Sequence, residues 1–185
     1  YQSGCRENHS CDDNLVRLEN DIKRAQAAKH YLLAIFLDLS TAFDKLWNGG
    51  ALRYLFNIGI RGRLLKWIQD FLKTRKITVK LNGQFSETVE TINGCPQGSV
   101  LSPIIFSLMM NTFYEEVKKH NTNMEQQNKT HFIASISQFV DDSATWVTSK
   151  DPNLVVEKAQ AVLKVIEQWS KKYGFIINSK KTQVV

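Results

Sequence analysis

At 185 residues the chain suits one domain, with enough length to bury a substantial core. Lys and Arg total 24 against 18 Asp and Glu, a net charge of +6 that suits a polyanionic partner without demanding one. Three cysteines, at positions 5, 11 and 95, exclude a closed disulfide framework, and a zinc reading of Cys5, His9 and Cys11 lacks a fourth ligand.

In chain order, Asp12 or Asp13 can cap a first helix, with Leu15, Leu18, Ile22 and Ala25 on one face. Tyr31-Leu32-Leu33-Ala34-Ile35-Phe36-Leu37 is an unbroken apolar run, the mark of a strand covered on both faces. A loop through Asn48-Gly49-Gly50 leads to short helices from Ala51 to Phe56 and from Gly62 to Leu72. The second of these is expected to bury Leu64, Leu65, Ile68 and Phe71. Arg75 and Lys76 read as a solvated helix end. Ile77 to Leu81 alternates, Asn82-Gly83 is a strong two-residue hairpin signal, and Phe85 to Ile92 returns. Gly94-Cys95-Pro96-Gln97-Gly98 breaks the pattern. Ser102 caps and Pro103 starts a helix to Lys118, followed by a polar loop from His120 to Lys129. Strands are expected over Ile133 to Ser137 and Ala144 to Thr148, with a helix opened by Asp151 and Pro152 between them and a last short strand at Phe175-Ile176-Ile177. Lys171 and Lys172 read as a solvated helix end. Hairpins mixed with crossover helices predict an α+β architecture, an antiparallel sheet with helices packed on one face.

Acids mark where chemistry would sit. Asp38 follows the apolar run at once, and Asp141-Asp142 falls in the turn between two strands. An Asp-Asp pair in a turn is ordinary turn chemistry. A second strand that also ends on a carboxylate changes the odds, because three aspartates brought together repel and a divalent metal pair is the usual remedy. That set is the core of a two-metal phosphoryl-transfer site.

Three blocks then stand in order: Phe36-Leu37-Asp38-Leu39-Ser40-Thr41-Ala42-Phe43-Asp44, Gly94-Cys95-Pro96-Gln97-Gly98-Ser99-Val100-Leu101-Ser102-Pro103 and Phe139-Val140-Asp141-Asp142. Gln2-Ser3-Gly4 and Asn178 with Lys181-Thr182 flank them. With these the chain strongly resembles the palm, the catalytic core, of a non-LTR retrotransposon reverse transcriptase. The resemblance covers nearly all of residues 1–185 and implies one palm domain, with the fingers tip and thumb largely missing. It implies an RNA-directed DNA polymerase in which Asp38 and Asp141 bridge two Mg²⁺ ions, with Mn²⁺ as the alternative. Asp142 would tune the pair or meet metal indirectly, and the main-chain carbonyl of Leu39 would be a further ligand. Phe43 would be the steric gate against a ribose 2′-hydroxyl, or else simply core. Pro96-Gln97-Gly98 would pack under the incoming nucleotide. Lys181 would protonate or neutralise the leaving pyrophosphate, with Lys180 leaving the register open. Cys5, Cys95, Val140 and Ser143 depart from the family pattern, and none of them removes a metal ligand.

The implied partners are an RNA template, a DNA primer and deoxynucleoside triphosphates, with no membrane, in an intracellular setting in the nucleus or cytoplasm. Asn8-His9-Ser10 and Asn128-Lys129-Thr130 match the glycosylation pattern but mean little without secretion. The start without methionine and the abrupt end lead us to expect an excised piece of a longer protein. The rivals are a non-catalytic, domesticated nucleic-acid-binding palm and an intron maturase-type reverse transcriptase.

Overall fold

The computed structural model describes residues 2–4, 6–73, 75–127 and 134–185. Cys5, Ile133 and Asn128-Lys129-Thr130, which entered the expectations above, lie outside the described residues. The chain divides into two compact units, Tyr1–Ser40 with Met110–Val185, and Thr41–Met109.

The first unit is built on a four-stranded antiparallel sheet in the order β6-β7-β1-β8, from β1 (Tyr31–Leu37), β6 (Ser135–Phe139), β7 (Asp142–Ser149) and β8 (Gln183–Val184). Its spine is the ladder between β1 and β7, running from Tyr31 opposite Ser149 to Leu37 opposite Ser143. Helix α1 (Cys11–Ala27) packs on the sheet through Asp21, whose carboxylate accepts from Trp146 Nε1 at 2.8 Å. Ser10 caps α1, not Asp12 or Asp13: its side chain accepts from the Asp12 amide, and Asp13 closes the capping box. Helix α5 (Pro152–Tyr173) starts on Asp151 and ends on Gly174 at φ +76°, where a side chain would be strained. Val155, Ala159, Val162, Ile166 and Trp169 form its buried stripe. Trp169 stacks on Phe175 and donates to Thr112 Oγ1 at 2.9 Å.

Two expectations about this unit change. The apolar run is not covered along its length on both faces: Ala34, Ile35 and Leu37 are buried, while Tyr31 and Phe36 are exposed. The last strand forms at Gln183–Val184, paired with β1, and Ile177 makes only an isolated bridge to Leu39.

The second unit holds α2 (Asn48–Asn57), α3 (Gly62–Leu72) and two small hairpin ladders. These are β2 (Arg75–Ile77) with β5 (Val89–Thr91), and β3 (Lys80–Leu81) with β4 (Gln84–Phe85). Asn82 and Gly83 turn the inner ladder at φ +50° and +81°, the left-handed pair that a tight hairpin turn needs. Helix α3 buries Ile68 and Leu72, whereas Leu64 is exposed. Arg75 is no helix end: its guanidinium donates to the carbonyls of Asn93 at 3.1 Å and Gly94 at 2.9 Å.

Helix α4 (Leu101–Gln126) begins in the second unit and continues in the first. It absorbs most of the segment expected to be a polar loop. Asn121 anchors that extension by bonding both the amide (3.0 Å) and the carbonyl (2.8 Å) of Ala134. Ser102 lies inside the first turn and donates to Pro96 O at 2.7 Å, while the Ser99 hydroxyl accepts from the Leu101 amide. Among the described residues no helix is long and apolar enough to cross a membrane.

Candidate active site

In the first unit the fold brings the acids to one end of the sheet. β6 and β7 are joined by a two-residue turn, Val140-Asp141, and Phe139 pairs with Asp142. The β1–β7 ladder ends on the pair Leu37 and Ser143, so Asp38 and Asp142 each adjoin its last rung. All three carboxylates remain at least partly accessible. The Asp142 carboxyl is held above its ordinary range, first by lost solvation and then by the negative charges of Asp141 and Asp38.

Asp38 is fixed by its main chain. Its carbonyl accepts from the Asn178 amide at 2.8 Å, and its amide donates to Thr182 Oγ1 at 3.5 Å. The Asn178–Thr182 turn closes through Thr182 N–H to Asn178 O at 2.9 Å and Lys181 N–H to the same oxygen at 3.1 Å. Exposed Lys181 is therefore carried by a turn pinned to Asp38. Leu39 is buried beside it.

The turn carrying Asp141 is also held from afar. Val140 stands at φ +56°, a strained conformation for a β-branched residue. The buried Gln2 side chain bonds both main-chain groups of Val140, accepting from its amide at 2.9 Å and donating to its carbonyl at 3.1 Å. Sequence reasoning assigned Gln2, Asn178 and Thr182 to flanking motifs and gave them no task. Only their place in those motifs hinted at one.

The second unit assembles the other candidate residues. Phe43, half-buried, stacks on Phe106 with ring centroids 4.6 Å apart and planes 21° from parallel. The segment before Pro96 is zipped to the same stretch, by Gly94 N–H to Leu46 O and Cys95 N–H to Phe43 O, each 2.8 Å. A Cβ on Gly94 would lie 2.6 Å from Asp44 O, so glycine is required there. At Gly98 the requirement is φ +85°, since no protein atom would meet its Cβ. Gln97 is exposed and donates to Asp44 Oδ1 at 3.1 Å.

The donors available to a metal are hard carboxylate oxygens, the chemistry that suits Mg²⁺ or Mn²⁺. A cation would relieve both the lost solvation and the neighbouring negative charge that raise the Asp142 carboxyl. Among the described residues no three His, Cys, Asp or Glu side chains stand in an arrangement that would by itself hold a metal ion.

The RNA-directed DNA polymerase from mobile element jockey of Drosophila melanogaster is 29% identical over 181 residues, 98% of this chain and 19% of that protein. The probable RNA-directed DNA polymerase from transposon BS of the same organism is 28% identical, again over 98% of this chain and 19% of the relative. The chain thus spans about a fifth of the length of these curated relatives. Among solved structures, telomerase from Candida albicans superposes with a TM-score of 0.71 at 14% identity, over 96% of this chain and 31% of that one. Apo telomerase from Candida tropicalis, truncated from its C-terminal domain, gives 0.66 at 17% identity, over 99% and 36%. These two likenesses concern the fold. Residues 1–185 match the family described as reverse transcriptase (RNA-dependent DNA polymerase), and the chain belongs to that family.

Proposed function

We propose that residues 1–185 are the palm of an RNA-directed DNA polymerase from a non-LTR retroelement. In this reading it extends a DNA primer on an RNA template with deoxynucleoside triphosphates. The observation that carries the proposal is the meeting of Asp38, at the end of β1, with the Asp141-Asp142 hairpin, where lost solvation first and the charges of Asp141 and Asp38 next raise the Asp142 carboxyl. The names of the relatives, RNA-directed DNA polymerases of mobile elements, support the choice of template and product.

Asp38 and Asp141 would hold the metals, with the Leu39 carbonyl as a further oxygen ligand and Asp142 supporting from the next position on β7. Bound Mg²⁺ would supply charge neutralisation for the primer hydroxyl and the triphosphate. The rest falls to the protein. The Asp38 main chain, tied to Asn178 and Thr182, fixes this residue just past the end of β1. Lys181, on the same turn, offers an ammonium to the departing pyrophosphate. The attack is in line at the α-phosphorus, with the 3′-oxygen bond forming as the bond to pyrophosphate breaks. Phe43, braced by Phe106, is the wall against a 2′-hydroxyl, and Pro96-Gln97-Gly98 is the floor under the nucleotide.

The test is Asp141→Asn in the complete polymerase. Synthesis should be abolished while the Kd for primer–template stays within about twofold, because a neutral isostere removes metal affinity and leaves the fold. Substantial remaining synthesis would remove Asp141 from the metal site.

A further inference from the structure

Val140 poses a physical problem that the acids do not explain. It is the first residue of the two-residue turn, and at φ +56° it occupies a place that tight hairpins usually give to glycine or asparagine. A valine there carries strain and persists only if its surroundings over-determine it.

Those surroundings are residues 2–4. The Gln2 carboxamide pairs with the peptide groups of Val140 in both directions, and its Oε1 also accepts from the Gly4 amide at 2.9 Å. The Gln2 backbone bridges Gln138 in parallel, and Ser3 N–H donates to Gln138 O at 2.9 Å, so the segment lies along the free edge of β6. Helix α1 holds it there. Asn14 Nδ2 donates to the same Gln138 oxygen at 2.9 Å, and the Ser3 hydroxyl donates to Asn14 Oδ1 at 3.0 Å. The fit leaves no slack: a Cβ on Gly4 would come within 2.5 Å of the Val140 nitrogen and 2.6 Å of its Cγ2.

We propose that Gln2 is a positioning residue for catalysis, fixing Val140 in its left-handed conformation and so setting where the Asp141 and Asp142 carboxylates stand. Gly4 contributes by having no side chain, which lets the strap close on the turn. This inference rests on the reading of Asp141 as part of the reaction centre. Gln2 touches neither substrate nor metal and acts only through the peptide groups of Val140. Glutamine suits the task because one planar group carries both the donor and the acceptor that Val140 requires. Glutamate would keep only the acceptor.

The experiment is a double-mutant cycle in the complete polymerase, with Gln2→Ala, Val140→Gly and the pair together. Gln2→Ala should lower kcat about 10- to 100-fold, the scale of a catalytic group displaced by about 1 Å, with the primer–template Kd unchanged. Glycine at position 140 takes a positive φ without strain, so the double variant should recover most of the lost kcat. Hydrogen exchange supplies a readout besides activity: the hairpin peptide of Gln2→Ala should exchange faster at the Val140 amide while the global melting temperature holds. Normal kcat in Gln2→Ala, or a loss that Val140→Gly leaves untouched, would overturn the proposal. Should Gln2→Ala not fold, Gln2→Glu removes the donor alone and is judged by the same two outcomes. Asp141→Asn run in parallel separates the two ideas. An active Asp141→Asn refutes the reaction centre, whereas an inactive Asp141→Asn beside a normal Gln2→Ala refutes the strap alone.

Discussion

The sharpest perturbation of substrate choice is Phe43→Ala. The ring is half-buried and stacked at 4.6 Å on Phe106, and the Phe43 carbonyl, which the substitution keeps, accepts from Cys95 at 2.8 Å. The fold therefore survives. Truncating a fully buried phenylalanine costs about 3–5 kcal/mol, so a half-buried one should cost about 1.5–2.5 kcal/mol. At about 2–4 °C per kcal/mol for a chain of this size, the melting temperature should drop by about 3–10 °C. The effect on sugar choice follows from overpacking. Forcing extra atoms into filled space costs about 1–3 kcal/mol, so removing the wall should shift the ribo-to-deoxy ratio of kcat/KM by about 5- to 150-fold towards ribonucleotides. The assay is single-nucleotide extension by the complete polymerase with matched ribo- and deoxynucleotides, wild type against variant. Deoxynucleotide use should fall only modestly. An unchanged ratio, with both activities reduced together, would make Phe43 a core residue and refute the gate.

Two further outcomes concern buried groups. Lys158 is 3% exposed on α5, donates to the Thr148 carbonyl, and has its ammonium pushed below the ordinary 10.5 by burial. The unfolded chain binds the proton more tightly, so this group's contribution to stability rises with pH up to about 10.5. Denaturant melts of wild type and Lys158→Met should therefore differ most near neutral pH and converge as pH approaches that value, and a pH-independent gap would contradict the reasoning. Cys95 is 2% exposed, and burial lifts its thiol to about 11 against the opposing pull of Arg75 and Ser102. Native alkylation read by peptide mass spectrometry should modify exposed Cys11 and spare Cys95 until the protein is denatured, whereas labelling at both would show that Cys95 is not enclosed.

The parts of the fold legible in the sequence are those written in local chemistry. Asp151-Pro152 and Gly174 bracket α5, Asn82-Gly83 makes its turn, and α3 runs from Gly62 to Leu72 as its apolar spacing implies. The last turns of α4 were not legible, because His120 to Gln126 is polar but for Met124 and carries no clear apolar period, and its anchor at Ala134 lies 13 positions beyond Asn121. Strand β8 escaped for a similar reason: two exposed residues become a strand only because the edge of β1 is there to pair with them. Within the site the three aspartates were readable as acids ending strands. The brace on them was not, since Gln2 and Val140 are 138 positions apart and no pattern in either neighbourhood names the other. Arg75 likewise looked like a solvated end until the carbonyls of Asn93 and Gly94 met it.

The seven-rung ladder between β1 and β7 also decides which kinds of sequence drift a lineage of such chains survives. Because a strand's side chains alternate with a period of two, inserting or deleting one residue within either strand would turn every side chain beyond it to the opposite face. Asp38 would then lose its place beside the Asp141-Asp142 hairpin, even though every candidate aspartate was still present. Point changes on this ladder erode packing by degrees, whereas a single-codon gain or loss severs the site in one step. The small hairpin around Asn82-Gly83, whose strands expose both faces, has no such register to lose. Length variation among copies should therefore gather there and be purged between Tyr31 and Asp38 and between Asp142 and Ser149.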